Sequence, residues 1–116
     1  MQLPLQITFQ NMDPSPFLAA CVREHADRLE RFSEHIMACH VVFDAPHRHH
    51  HKGKLYTVRI DLTVPGGELA VRHAKPADHA HEDPKVALRD AFDAVRRELE
   101  DYARRRRHDV KTHAES

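Results

Sequence analysis

Apolar residues alternate with polar or neutral ones at Leu3, Leu5, Ile7 and Phe9, a period of two that predicts a strand with one buried face. The period then lengthens. Pro14 and Pro16, with Asp13 or Ser15 as N-cap, open a helix in which Leu18, Val22, Ala26, Leu29 and Phe32 recur at helical spacing. Arg23, Asp27, Arg28 and Arg31 occupy its other side. A second strand, from about Ile36 to Asp44, is apolar on both faces in places, as expected of a strand with a neighbour on each side.

The clearest strand signal is the alternation of Tyr56, Val58, Ile60, Leu62 and Val64 with Thr57, Arg59, Asp61 and Thr63. Pro65 and Gly66 end it. Proline fixes φ near −65° and glycine accepts positive φ, so the pair suits the centre of a type II turn, and Leu69 and Val71 resume the alternation in a return strand. A polar loop from about Ala74 to Glu82 follows. Asp83 can then cap a helix with Pro84 in its first position, and Leu88, Ala91, Phe92, Val95, Leu99 and Tyr102 form its apolar stripe. Asp93 with Arg97 and Glu100 with Arg104 stand one turn apart in the favourable order, and the arginines at the end complement the helix dipole. The helix is expected to reach Arg107, leaving a frayed stretch from Asp109 to Ser116.

The order strand, helix, strand, strand, strand, helix restricts the topology. A crossover through the first helix makes the first two strands parallel, the rest form an antiparallel meander, and two one-sided helices must cover the same sheet face. The expected fold is an α+β two-layer sandwich, β-α-β-β-β-α, with a four-stranded mixed sheet and both helices on one face. Residues 1–108 would form one domain and residues 109–116 a flexible tail.

Length and composition agree with a single unit. A chain of 116 residues with 41% hydrophobic content buries about two-thirds of its unfolded surface, enough for a modest core without metal or disulfide. The apolar runs, Ile36 to Cys39 and Val41 to Phe43, are far below the ~20 residues of a membrane span. No export signal opens the sequence, so a cytoplasmic location is expected. Cys21 and Cys39 lack the close spacing of a redox or zinc motif and are expected to be reduced packing residues.

Charge changes the picture more. The formal net charge is zero, yet no acidic residue stands between Ala45 and Ile60, where His47, Arg48, His49, His50, His51, Lys52, Lys54 and Arg59 cluster. The same sorting recurs at Arg104, Arg105, Arg106, Arg107 and His108. Concentrated cationic patches of this kind suit phosphate. A solvated helix end would account for a few arginines, since each charge near the dipole contributes only ~0.3 to 1 kcal/mol, but four in succession exceed that need. Arg23, Arg28 and Arg31 alternate with Glu24, Asp27 and Glu30, a pattern that an ordinary salt-bridged surface also produces.

The order of elements, the segment Arg28, Leu29, Glu30, Arg31, Phe32, the turn Pro65, Gly66, Gly67, Glu68 and the final helix from Asp83 through Asp93, Arg97 and Leu99 resemble the ribosome hibernation-promoting factors. These are also known as ribosome-associated translation inhibitors or sigma-54 modulation proteins. The resemblance covers about residues 1 to 108 and rests on the ordered combination. It implies a non-catalytic inhibitor, without cofactor, that occupies the mRNA and tRNA channel of the small ribosomal subunit and stabilises idle ribosomes under stress or in stationary phase. Its partners would be that subunit and its rRNA, with neither membrane nor DNA. Carried over by position, the RNA-binding residues would be Arg28 and Arg31 on the first helix and Arg97, Arg104, Arg105 and Arg107 on the second, with Arg89, Arg96 and Arg23 less closely matched. His47, Arg48, His49, His50, His51, Lys52 and Lys54 join them on charge. The His-rich loop and the pair Pro84 and Lys85 depart from the commoner family pattern. Long members add a C-terminal dimerisation domain; this chain reads as a short form, and ribosome pairing would call on a separate factor.

Two other classes compete. His47, His49 and His51 with His79 and His81 could supply imidazole ligands to zinc, nickel or copper, but adjacent histidines in a loop do not preorganise a tetrahedron and no CxxC or HExxH spacing accompanies them. Histidine also stacks on bases and donates to phosphates. The sheet-and-two-helix layout would equally serve a generic double-stranded RNA-binding module. An enzyme finds little support, because P-loop, dinucleotide fingerprint and nucleophile elbow are all missing.

Overall fold

The computed structural model describes residues 4–32, 35–45, 56–73 and 83–115, with the backbone alone for residues 72, 73 and 108–115. The elements follow in the expected order: β1 (Leu5–Gln10), α1 (Pro16–Phe32), β2 (Ala38–Asp44), β3 (Thr57–Val64), β4 (Gly67–His73) and α2 (Pro84–Glu115). They build a four-stranded sheet in the order β1-β2-β3-β4, with β1 parallel to β2 and the other two pairings antiparallel. Leu3 lies outside the described residues, and β2 starts at Ala38, two positions after the apolar run begins.

Local chemistry explains the boundaries. Leu18 N–H donates to Ser15 Oγ at 3.2 Å, so Ser15, of the two candidate caps, satisfies an orphan amide of α1. Asp83 does the same for α2, accepting from Lys85 N–H at 2.9 Å, while Pro84 fills the first helical position, where no amide is needed. Gly66 has φ +88°, the left-handed value that the second central position of a type II turn demands. The helix α2 departs from expectation at its far end. It continues past Arg107 to Glu115, because the segment after Arg107 contains neither glycine nor proline to stop it.

The period-two pattern of the strands becomes the core. Cys39, Val41, Phe43, Val58, Ile60, Leu62 and Val64 point to one side and meet Leu18, Val22 and Leu29 of α1 and Leu88, Ala91, Phe92, Val95 and Leu99 of α2. Both helices therefore cover one face, as the one-sided stripes require. Phe9 stacks on Phe43 with centroids 5.4 Å apart, tying edge strand to core. The opposite face carries Gln6, Thr8, His40, Arg59, Asp61 and Thr63 by alternation. Thr8 Oγ1 and His40 Nε2 share a hydrogen bond of 2.9 Å, and Arg59 pairs with Asp61 at 3.0 Å. Val42 on this face is buried as well, between its register partners Thr8 and Arg59.

Candidate nucleic-acid interface

The helical layer is where most of the described candidate residues gather. Lys85 Nζ lies 5.6 Å over the Phe17 ring, His25 stacks on Phe92 at 5.0 Å, and the Arg96 guanidinium carbon lies 4.5 Å over the Phe32 ring. Contact positions climb together along both helices, so α1 and α2 run in the same direction. The C-terminal end of α1, with the partial negative charge of its dipole, therefore falls beside Arg96, while α2 continues past it to Glu115. Arg31 lies in the last turn of α1, and Arg104 to Arg107 follow Leu99, the last fully buried residue of α2 among those described.

Arg28, Arg31, Arg89, Arg96, Arg97, Arg104, Arg105 and Arg107 are all exposed. Three hold carboxylates: Arg89 with Asp90 at 3.7 Å, Arg96 with Glu100 at 3.9 Å and Arg104 with Asp101 at 2.8 Å. Arg104 thus chooses the acid three residues back over Glu100, and among the described residues no ion pair joins Asp93 to Arg97. Arg105 Nε donates to the Asp101 carbonyl at 3.4 Å. Arg28, Arg31, Arg97 and Arg107 have no ion-pair partner among the described residues, so their charge is fully presented to solvent. This face can neutralise a polyanion.

Arg106 behaves differently from its neighbours. Tyr102 Oη donates to the Pro65 carbonyl at 2.6 Å, and Arg106 Nη1 donates both to that carbonyl at 3.1 Å and to Tyr102 Oη at 2.6 Å. One arginine of the four thus clasps α2 to the β3–β4 turn.

A family model described as sigma 54 modulation protein / S30EA ribosomal protein matches residues 5–107. The chain belongs to this family. The match ends at Arg107, so the whole arginine run lies inside the shared region. Among curated proteins no significant match exists. Several solved structures share the fold, among them the following two. A ribosomal subunit interface protein from Coxiella burnetii superposes with a TM-score of 0.70 at 18% identity, covering 87% of this chain and 98% of that one. The Protein Y N-terminal domain of Thermus thermophilus gives 0.67 at 19%, covering 88% and 99%.

Within this sigma 54 modulation / S30EA member, the second cationic patch, His47, Arg48, His49, His50, His51, Lys52 and Lys54, lies outside the described residues, as do His79 and His81. Among the described residues no three His, Cys, Asp or Glu side chains gather to hold a metal ion. No described helix is long and apolar enough to cross a membrane. Phe32, assigned by spacing to the apolar stripe of α1, is 40% exposed, because it is the final residue of the helix and Arg96 of α2 covers its ring. Phe17, 61% exposed, also escaped the sequence reading. Only its position one residue ahead of Leu18, where the stripe begins, could have marked it.

Two groups carry perturbed acidity. His25, half-buried between the helices, has its pKa held below the ordinary imidazole value chiefly by burial and then by Arg28, against the opposing pull of Asp93 and Glu24. Burial, aided by Asp61, pushes the Cys39 thiol up to about 12. Both cysteines are free.

Proposed function

We propose that this chain binds the small ribosomal subunit in the mRNA and tRNA channel and inhibits translation, stabilising idle ribosomes under stress or in stationary phase. Family membership over residues 5–107 carries the reading. The run Arg104 to Arg107 at the end of the packed layer supports it, since rRNA presents the dense phosphate that such a run neutralises. Arg28, Arg31, Arg89, Arg96, Arg97, Arg104, Arg105 and Arg107 are the proposed rRNA contacts, joined by the basic loop from His47 to Lys54. Binding suffices for inhibition, so the proposed action requires no catalytic step of the protein.

Sedimentation with vacant ribosomes tests this directly. The protein should pellet with small subunits, lose that association when mRNA and initiator tRNA are loaded first, and inhibit cell-free translation only when added before initiation. Equal inhibition after loading, or no association with small subunits, would defeat the proposal.

A further inference from the structure

The two helices meet at Phe32 in an arrangement that plain phosphate binding does not need. Phe32 and His35 on one side and Leu99, Glu100, Ala103, Arg104 and Arg107 on the other line a groove of about 500 Å³, within the ~300–1,000 Å³ of sites that take small molecules. Arg96, itself 58% exposed, lies over the Phe32 ring. An exposed aromatic ring is costly to leave in water, and a guanidinium stacked on it extends the same flat surface outward. Arg104 and Arg107 add charge on the adjoining turn.

We infer that the Phe32–Arg96 stack, with the groove between Phe32 and Arg107, is a subsite for a single unpaired RNA nucleotide. The base stacks on the exposed part of the ring or on the outer face of the guanidinium, and the phosphate meets Arg104 and Arg107. Every base has a π-face, so the stack is sequence-tolerant, while Glu100 supplies an acceptor for an exocyclic amine and disfavours only uracil, the one base without such an amine. A duplex keeps its base faces inside the helix and cannot use the subsite. The inference rests on the proposed ribosome binding for its biological setting, but its chemistry is tested on RNA alone.

The probe is a single-stranded RNA dodecamer carrying one 2-aminopurine, whose fluorescence falls on stacking, compared with a blunt duplex of the same sequence. Phe32→Leu keeps an apolar side chain but removes the ring. Stacking on an aromatic is worth on the order of a 5- to 150-fold change in affinity per base, so this variant should bind the single strand at least about fivefold more weakly at every salt concentration and lose the quenching. Duplex affinity and the salt slope should stay at wild-type values. Phe32→Tyr should restore both signals, and Phe17→Leu, at the distant end of the layer, should leave them unchanged.

Single-strand affinity and quenching unchanged in Phe32→Leu overturn the subsite, as does an equal loss in Phe17→Leu or on the duplex. Vacant small subunits separate this idea from the ribosome reading. Loss of the stacking signal in Phe32→Leu while no variant binds subunits sustains the subsite and sinks the ribosome reading; unaltered RNA and subunit binding in the same variant does the reverse.

Discussion

Replacing Arg28, Arg31, Arg97 and Arg107 together by glutamine should flatten the salt dependence of RNA binding by an amount that follows from the charges removed. These four are exposed and have no ion-pair partner among the described residues, so each is available to displace one counterion from a phosphate. Four lost contacts reduce the slope of log K against log salt by about 2.8 for single strands or about 3.6 for duplex. Between ~50 and ~200 mM salt the variant should therefore lose about 50- to 150-fold less affinity than the wild type. Stability should change little, since these side chains stand off the buried stripe and exposed substitutions stay within about 0.5 kcal/mol each. The assay is fluorescence anisotropy with small subunits or rRNA fragments at four or more salt concentrations. Arg59→Gln is the control, because Arg59 is committed to Asp61 on the other face of the sheet. Equal slopes in the wild type and the fourfold variant, or an Arg59 variant that flattens as much, would show that the helical face is not the phosphate contact.

Tyr102→Phe removes a hydroxyl that both donates to Pro65 and accepts from Arg106, while Arg106 still reaches the carbonyl. The expected cost is about 0.5–1.5 kcal/mol, read as a fall in thermal midpoint; an unshifted midpoint would mean that the clasp contributes nothing. His25 binds fewer protons in the folded protein than its ordinary pKa of 6.5 would give, so its contribution to stability is complete above pH 6.5 and is lost as pH falls through the lowered folded value. Denaturant titrations across this range should show a steeper acid loss for the wild type than for His25→Gln, and parallel curves would remove His25 as the cause. Cys39, buried and with its thiol raised to about 12, should resist a disulfide exchange reagent at neutral pH until the protein unfolds, whereas the part-exposed Cys21 should react in the folded state. Rapid modification of both thiols in native protein would contradict the packing.

The strands, the hairpin and the helix starts were legible in the sequence because they rest on short-range physics. Alternation at Leu5, Ile7 and Phe9 and from Val58 to Val64, the Pro65–Gly66 turn, and the caps Ser15 and Asp83 each involve residues within a few positions of one another. One-sided stripes on two helices then left a single layer arrangement that buries both. The arginine run was equally plain, since charge sorting is visible without coordinates.

What tertiary structure decided concerns contacts between residues far apart in the chain. Spacing placed Phe32 in the core, but burial depends on what stands opposite the last turn, and Arg96 stands there. Four successive arginines look alike in sequence, yet the Pro65 carbonyl, 41 residues away from Arg106, takes one of them for the clasp. Whether Arg104 pairs with Asp101 or Glu100 turns on rotamer geometry that a helical-spacing rule cannot resolve. The parallel course of α1 and α2, which sets the last turn of α1 beside the arginines of α2, is a product of the β1-α1-β2 crossover and the meander after it. A linear pattern specifies which face of each element is apolar; the partner that face meets, and hence which polar side chains become neighbours, is fixed only when the layers pack.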